Sequence, residues 1–331
     1  MLEFSLVTLV IIGIALIFDF SNGLNDSANA IATVVSTRVL SPVAALGMAV
    51  TLNFFGAYMN TEVAQTIGKD IVDPVAISSS VIIVALSTAA AWNILLTIFG
   101  MPVSASHALI GGLVGAVMGS PGNHSIHATG LTKILLALLI SPPLALACSL
   151  VLMNLVYIIF RHTSATKVNK IFGKLQILSA AFMAFSHGSN DAQKSMGVIT
   201  MALVAGGYIT TFHVPGWVVF VCAAAMAMGT AFGGWRVIHT LGVGLMKLKP
   251  VHGFGAESSA ALVIMGASHF GLPVSTTHVI TSTVVGVGSA RRASAVRWGL
   301  ASKIIVSWVL TLPVCIGVAA MAEWIVSTWL K

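Results

Sequence analysis

The chain has 331 residues, 57% of them hydrophobic and 8% charged, with a formal net charge of +7. Soluble domains carry about a quarter charged residues, so a chain this poor in charge cannot cover a water-facing surface, and a soluble globular protein is excluded. In a membrane chain a basic excess belongs to cytoplasmic loops, and no nucleic-acid partner is expected.

Lipid offers the backbone no hydrogen bonds, which leaves helices or a closed barrel. Barrel strands alternate apolar and polar residues over ~10 positions. This chain shows long continuous apolar runs instead, so the expected class is all-α and polytopic. The predicted segments, in order, are 2–18, 28–37, 42–59, 75–99, 105–118, 131–159, 175–186, 195–206, 214–232, 255–270, 276–288 and 298–328. The first run holds only Glu3 as an early charge and leads into a polar motif rather than a cleavage site, so it reads as a retained span. Several segments are shorter than the ~20 residues of a full crossing. They flank polar or Gly/Pro-containing stretches, which predicts broken or re-entrant helices and about 10–12 membrane segments. Cys148, Cys222 and Cys315 lie far apart in apolar runs and read as small hydrophobes.

Polar stretches recur along the chain. Ser21-Asn22-Gly23-Leu24-Asn25-Asp26 returns as Ser186-His187-Gly188-Ser189-Asn190-Asp191, an offset of 165 (190 minus 25). Gly100-Met101-Pro102-Val103-Ser104-Ala105-Ser106-His107 returns as Gly271-Leu272-Pro273-Val274-Ser275-Thr276-Thr277-His278, an offset of 171 (278 minus 107). Lys133 and Lys303 each open a long apolar run with a central proline, Pro143 and Pro313. The chain therefore divides into a first transmembrane repeat at 1–160, a basic linker at 161–174 and a second repeat at 175–331. Basic residues cluster in 160–174, at Arg236, Lys247 and Lys249, and at Arg291, Arg292 and Arg297, and these should be cytoplasmic. The stretches 119–130 and 206–216 carry no Lys or Arg. Equivalent loops thus differ in charge, which predicts an inverted second repeat and both termini outside. Inverted repeats are typical of secondary transporters, and a channel can share them.

Asp26 and Asp191 occupy matched positions, where a carboxylate at membrane depth costs several kcal/mol unless paired or hydrated. They read as a cation or proton site, with helix capping as the alternative role. Asn25, Asn29 and Asn190 can coordinate a cation or donate to an anion; the alternative is a turn filler. Ser104, Ser106, Ser275, Thr276 and Thr277 open helices just after Gly-x-Pro breaks. Helix N-termini and hydroxyls together form an anion site; ordinary N-capping is the alternative. His107 and His278 read as helix-terminal hydrogen-bond partners, with a proton relay as the alternative. No metal-ligand spacing and no Gly-x-Ser-x-Gly elbow accompany them. Lys194 breaks the symmetry, since its counterpart is Asn29. Its ammonium either permanently fills one of two cation positions or simply neutralises Asp191. Asp19 and Glu257 are helix-end residues or partners of the motifs. Gly111, Gly115 and Gly119 have the spacing of close helix packing.

Through the runs at 23–33 and 187–194 and both Pro-Val-Ser motifs, the chain resembles the inorganic phosphate transporter (PiT) family over nearly its whole length. The resemblance implies a secondary transporter, not an enzyme, taking up inorganic phosphate by cation symport without a bound cofactor. It implies cation-site roles for Asp26, Asp191 and the neighbouring asparagines, and phosphate-ligand roles for Ser104, Ser106, Ser275, Thr276 and Thr277. Asn190-Asp191-Ala192-Gln193-Lys194 resembles the proton-coupled bacterial branch, so the co-transported ion is expected to be a proton, with sodium at Asp26 and Asp191 as the alternative. Ala105 stands where a hydroxyl is expected opposite Thr276. Sulfate or another tetrahedral oxyanion, an intramembrane Ser/His hydrolase and a passive anion channel remain the other readings. The expected setting is a cell membrane, as a multi-pass chain that could form a homo-oligomer.

Overall fold

The computed structural model describes residues 4–121, 126–290 and 292–329. Glu3, Arg291 and part of the uncharged stretch 119–130 lie outside the described residues. Within them the chain is helical, and the one β contact is an isolated bridge between Val72 and Ile126.

The first half builds α1 (Leu6–Ser36), α2 (Pro42–Gly56), α3 (Glu62–Lys69), α4 (Ser79–Ile98), α5 (Ala105–Gly119) and α6 (Ala128–Ile159). The second builds α7 (Ala165–Asp191), α8 (Gln193–Ala205), α9 (Gly216–Phe232), α10 (Trp235–His239, extended by a π-helical turn at Thr240–Gly244), α11 (Pro250–His269), α12 (Thr276–Ser289) and α13 (Trp298–Trp329). Serines start many of these helices: Ser5, Ser41, Ser78, Ser104 and Ser275 each accept a hydrogen bond from a backbone N–H of the first turn.

Two expectations are corrected here. The Asn-Asp motif does not interrupt the first helix, because α1 runs unbroken from Leu6 to Ser36. In the second copy the chain turns only at Ala192, between α7 and α8. Neither glycine of the motif is a hinge. A Cβ on Gly23 would lie 2.2 Å from the Met226 carbonyl oxygen, and one on Gly188 would lie 2.2 Å from that of Asn53. From the other side, Gly229 abuts Phe20 and Gly56 abuts Phe185. These glycines form two matched crossings, α1 on α9 and α7 on α2. The basic stretch 161–174 is also mostly helical, since α7 begins at Ala165.

The Gly-x-Pro breaks are where they were expected. Gly100 (φ 69°) ends the α4 side of one helical hairpin, and Gly271 (φ 64°) ends the α11 side of the other. Only glycine adopts this left-handed backbone without strain. α5 and α12 have 15 and 14 residues and are buried along almost their whole length. At 1.5 Å per residue each reaches about 22 Å, short of a ~30 Å hydrocarbon core.

The halves are interlaced. α13 packs on α5 and α6 packs on α12, each across the repeat boundary. α5 presents Gly115 to Ile316 and Gly119 to Ala320 so closely that a Cβ would meet each carbonyl oxygen at 2.2 Å. The same exchange relates α1–α9 to α7–α2, and within each half α4–α1 matches α11–α7. Such reciprocity is what a two-fold relation between repeats requires. The 32-residue α6 and α13 lie outermost, with Pro142 and Pro143 central in α6, Pro313 in α13, and few buried side chains in either. By length and apolarity α1, α4, α6 and α13 each suffice to cross a membrane, and α9 with Trp235–Gly244 forms a further candidate bent by 66°.

Candidate substrate and cation site

The two Asn-Asp motifs meet at the centre of the fold. Asp26 on α1 and Asp191 on α7 are buried, and the hydroxyl of Thr276 lies between them, 3.3 Å from Asp26 Oδ2 and 3.1 Å from Asp191 Oδ2. Thr277 donates to Asp26 Oδ1 at 2.8 Å. Asn29 Nδ2 in turn donates to Thr277 at 3.0 Å and lies 3.4 Å from Thr276 Oγ1. The α12 N-terminus of one repeat is thereby tied to the aspartate of the other.

Lys194, 1% exposed, places its ammonium 2.9 Å from Asp191 Oδ1. Burying an ammonium this completely is tolerable only with such a partner. His187 stands between the aspartates, its Nε2 3.5 Å from Asp191 Oδ2 and 3.8 Å from Asp26 Oδ2. Asn53 Oδ1 holds the other face of that ring, 3.0 Å from Nδ1. Asn22 donates to Asp191 Oδ2 at 3.2 Å. The charge balance follows from these distances. Asp191 has a fixed cation, whereas Asp26 has two hydroxyls and a distant imidazole. The two carboxylates share one fixed ammonium, and like charges this close in a low-dielectric interior repel strongly.

The remaining predicted residues sit nearby but face other partners. Asn25 bonds Thr97 Oγ1 (2.8 Å) and the Met101 carbonyl (3.3 Å); Asn190 bonds Ser268 Oγ (2.8 Å) and the Leu272 carbonyl (3.5 Å). The partners are equivalent positions at the offset of 171, as the asparagines are at 165, so both asparagines pin a hairpin tip to its motif helix. Ser104 caps α5 and also meets His107 Nδ1 at 2.7 Å. Ser275 caps α12. Ser106 donates across the repeat boundary to the Val274 carbonyl at 2.8 Å. Because position 105 is alanine, α5 offers no hydroxyl matching Thr276. His107 is the helix-end partner expected, whereas the His278 ring stacks on Trp308 with centroids 3.9 Å apart. Asp19 accepts from Ser195 at 2.6 Å.

His187 was not singled out from the sequence. The available signal was its counterpart, Asn22: in the second repeat both asparagines flanking the motif, at 22 and 29, give way to basic side chains, at 187 and 194. Asp26, His187 and Asp191 each offer one ligand atom within 4.8 Å of the others. The unpartnered oxygens Asn22 Oδ1 and Asn29 Oδ1 add further acceptors suited to a hard cation.

Comparison with known proteins agrees with this architecture. The family model described as the phosphate transporter family matches residues 22–319. A probable low-affinity inorganic phosphate transporter of Bacillus subtilis (strain 168) is 45% identical over 325 residues, covering 97% of this chain and 98% of the relative. A protein of the same description from Rhizobium meliloti (strain 1021) is 47% identical over 313 residues, covering 94% of each. A solved structure described as the sodium-dependent phosphate transporter superposes with a TM-score of 0.90 at 26% identity, covering 98% of this chain and 100% of that one.

Proposed function

The chain belongs to the phosphate transporter family, and from that premise we propose that it takes up phosphate by proton symport, with Asp26 as the carboxylate that accepts the coupling charge. It is a multi-pass membrane transporter and not an enzyme. The observation that supports proton coupling is the contact of Lys194 with Asp191 at 2.9 Å. The ammonium occupies the space on Asp191 that a second cation would need. Asp26 is then the open position, and a proton there completes the charge balance. Phosphate binds beside the pair, at the N-termini of α5 and α12. The hydroxyls of Ser104, Ser106, Ser275, Thr276 and Thr277 and the free N–H groups of both helices are the donors. Anion and cation enter together because either alone is costly at low dielectric. The repeats are inverted, with the basic segments cytoplasmic and both termini outside, and rocking of the repeats exposes the site to each side in turn.

Sodium coupling is the second reading. It is favoured by the solved relative's description as sodium-dependent and by the unpartnered side-chain oxygens of Asn22 and Asn29, on the helix that carries Asp26. Radiolabelled phosphate uptake into proteoliposomes, driven separately by a pH gradient and by a sodium gradient, decides between the two. Uptake on the pH gradient alone supports the proton reading, and a requirement for sodium refutes it. Loss of phosphate uptake to excess sulfate would move the substrate to the sulfate class.

Two substitutions refine the assignment. Lys194→Asn restores the first repeat's residue and should confer sodium-stimulated uptake; normal transport with no sodium response would refute the role given to Lys194. Thr277→Val removes the donor to Asp26, and the KM for phosphate should rise about tenfold, the equivalent of ~1.4 kcal/mol for one lost buried hydrogen bond. Thr277→Ser, which keeps the hydroxyl, should stay near wild type in the same assay.

A further inference from the structure

The basic face of the second repeat holds a cavity of about 430 Å³, apart from the paired aspartates. Lys247 and Lys249 precede α11, His252 lies in its first turn, and Arg292 and Ser294 belong to the segment between α12 and α13. Met246 and Gly288, both buried, line it from within.

Local structure builds this cavity. Leu248 is buried between exposed Lys247 and Lys249, the alternation of an extended backbone, so both lysines leave the same side. The two segments are stapled together. The Arg297 N–H donates to the Leu245 carbonyl at 2.9 Å, and its guanidinium donates to the Gly244 carbonyl at 3.3 Å. A Cβ on Gly288 would lie 2.7 Å from Met246 Sδ and 2.9 Å from Val296 Cγ2, so side chains from both segments close on α12 at that glycine. Trp298 Nε1 donates to the Ala293 carbonyl at 2.9 Å and holds the turn that carries Arg292 and Ser294.

The charges are not balanced from within the chain. The one acidic residue between Asp191 and Glu323 is Glu257, which is buried further along α11 and accepts from Gln176 and Ser179. Among the described residues no carboxylate pairs with Lys247, Lys249 or Arg292. A basic excess on one face is a topology signal in membrane chains, and the offset of 171 places neutral Ala76, Ser78 and Pro121 at the equivalent positions. That signal acts through the number of loop charges. It does not require two loops to be stapled so that three cations share one cavity, where like charges repel.

From this placement we infer that the cavity binds a phosphate group presented on the basic face, either free phosphate or the headgroup of an anionic phospholipid, and that its occupancy slows transport. The binding half stands without the transport reading above, and the regulatory half rests on it. Arg292 offers a planar pair of donors to two oxygens of a tetrahedral group, while the two ammonium groups and the Ser294 hydroxyl supply point donors. Trp298, 50% exposed beside the cavity, is the kind of amphipathic ring that sits at headgroup level, within reach of a lipid. The cavity also has a lever on the substrate site. His252 opens α11 and Gly288 closes α12, the two arms of the hairpin whose tip holds Asp26 through Thr276 and Thr277. The 14 residues of α12 separate the two sites by about 21 Å. An anion bridging Lys249 before α11 to Arg292 beyond α12 ties both arms to the loop before α13 and resists movement of the tip.

The first test uses unmodified protein. Acylation by a water-soluble reagent, read by peptide mapping, reports the reactivity of each lysine in detergent. Inorganic phosphate, compared with chloride at matched ionic strength, should slow Lys247 and Lys249 by about threefold or more near saturation, following 1 + [L]/Kd. The exposed Lys167 and Lys170 should not change. Asp26→Asn should show the same protection, because its defect lies at the other site. Protection by added phosphatidylglycerol, with none by free phosphate, assigns the cavity to a lipid headgroup. No protection by either, or equal slowing of all four lysines, overturns the inference. For regulation, Lys247→Gln combined with Arg292→Gln is compared with wild type in phosphatidylcholine proteoliposomes oriented with the basic face inward. The ratio of initial uptake with phosphate trapped inside to uptake without it should rise about fivefold in the variant. For a lipid headgroup the same rise should appear in the ratio of phosphatidylglycerol to phosphatidylcholine vesicles. Unchanged ratios in both comparisons overturn the regulatory half. If wild-type protein transports no phosphate at all, the transport reading fails, while the lysine protection still decides the site.

Discussion

Asp26→Asn will leave a folded protein whose phosphate uptake falls by about 100-fold, whereas Asp191→Asn will lose uptake and stability together. The difference comes from the partners. Asp26 has hydroxyl donors and no fixed cation, so asparagine removes a charge that the fold does not need. Asp191 holds Lys194, and its removal leaves an ammonium buried and uncompensated, a cost of about 3–5 kcal/mol. An uptake loss of ~100-fold corresponds to about 2.7 kcal/mol, the scale of one missing charge interaction in such a site. Uptake assays and thermal melting in detergent on the two variants check the contrast. Adding Lys194→Met to Asp191→Asn should restore much of the melting temperature without restoring transport. Equal loss of stability in both single variants would show that the two aspartates are not distinguished by Lys194.

Gly188→Val will destabilise the protein by about 3 kcal/mol, at the upper end of ordinary overpacking, and will lower its yield as a monodisperse species. The new Cβ would meet the Asn53 carbonyl oxygen at 2.2 Å and the Asn53 Cα at 2.6 Å. Both are backbone atoms of α2, so no side chain can swing away and the α2–α7 crossing must open. That crossing also positions His187 against Asn53, so uptake by the residual folded fraction should fall as well. Gly173 on the same helix has no atom within 4 Å of an added Cβ. Gly173→Ala should therefore be neutral or stabilise by up to about 1 kcal/mol through the helix preference of alanine. Fluorescence-detected size exclusion across a temperature series compares the two directly. A Gly188→Val protein as stable as Gly173→Ala would contradict the close crossing.

The repeat, the membrane class and the two hairpin tips were legible because each rests on local chemistry: an offset that can be counted, an apolar run, a Gly-x-Pro break. The continuity of α1 was not. Asn22, Gly23, Asn25 and Asp26 read locally as a helix breaker, yet each polar side chain finds a partner on another helix and Gly23 serves a crossing. Tertiary context overrode propensity. The aspartate pair lies together with Lys194, Asn29, Thr276 and Thr277. For Asn25 and Asn190 the tip contacts could not be read, because their partners Thr97 and Ser268 lie more than seventy residues away. His187 was hidden by lying inside a motif whose acidic member drew the attention. Glu257 reads locally as a helix-end residue, but it lies eight residues into α11 and bonds Thr33, Gln176 and Ser179, contacts that depend on which face of α11 meets α1 and α7.

The interlacing of α5 with α13 has a consequence for biogenesis. α5 ends at Gly119, and the helix that covers its glycine face does not begin until Trp298. At ~5–20 residues per second, the ribosome takes roughly 10–40 s to add the intervening stretch. Throughout that interval a narrow groove of bare backbone on α5 stands open in the membrane, whereas α12 emerges after its covering helix, α6, is already made. Nascent chains stalled before α13 should accordingly be recognised by membrane quality control, and supplying α13 in trans as a separate peptide should rescue them.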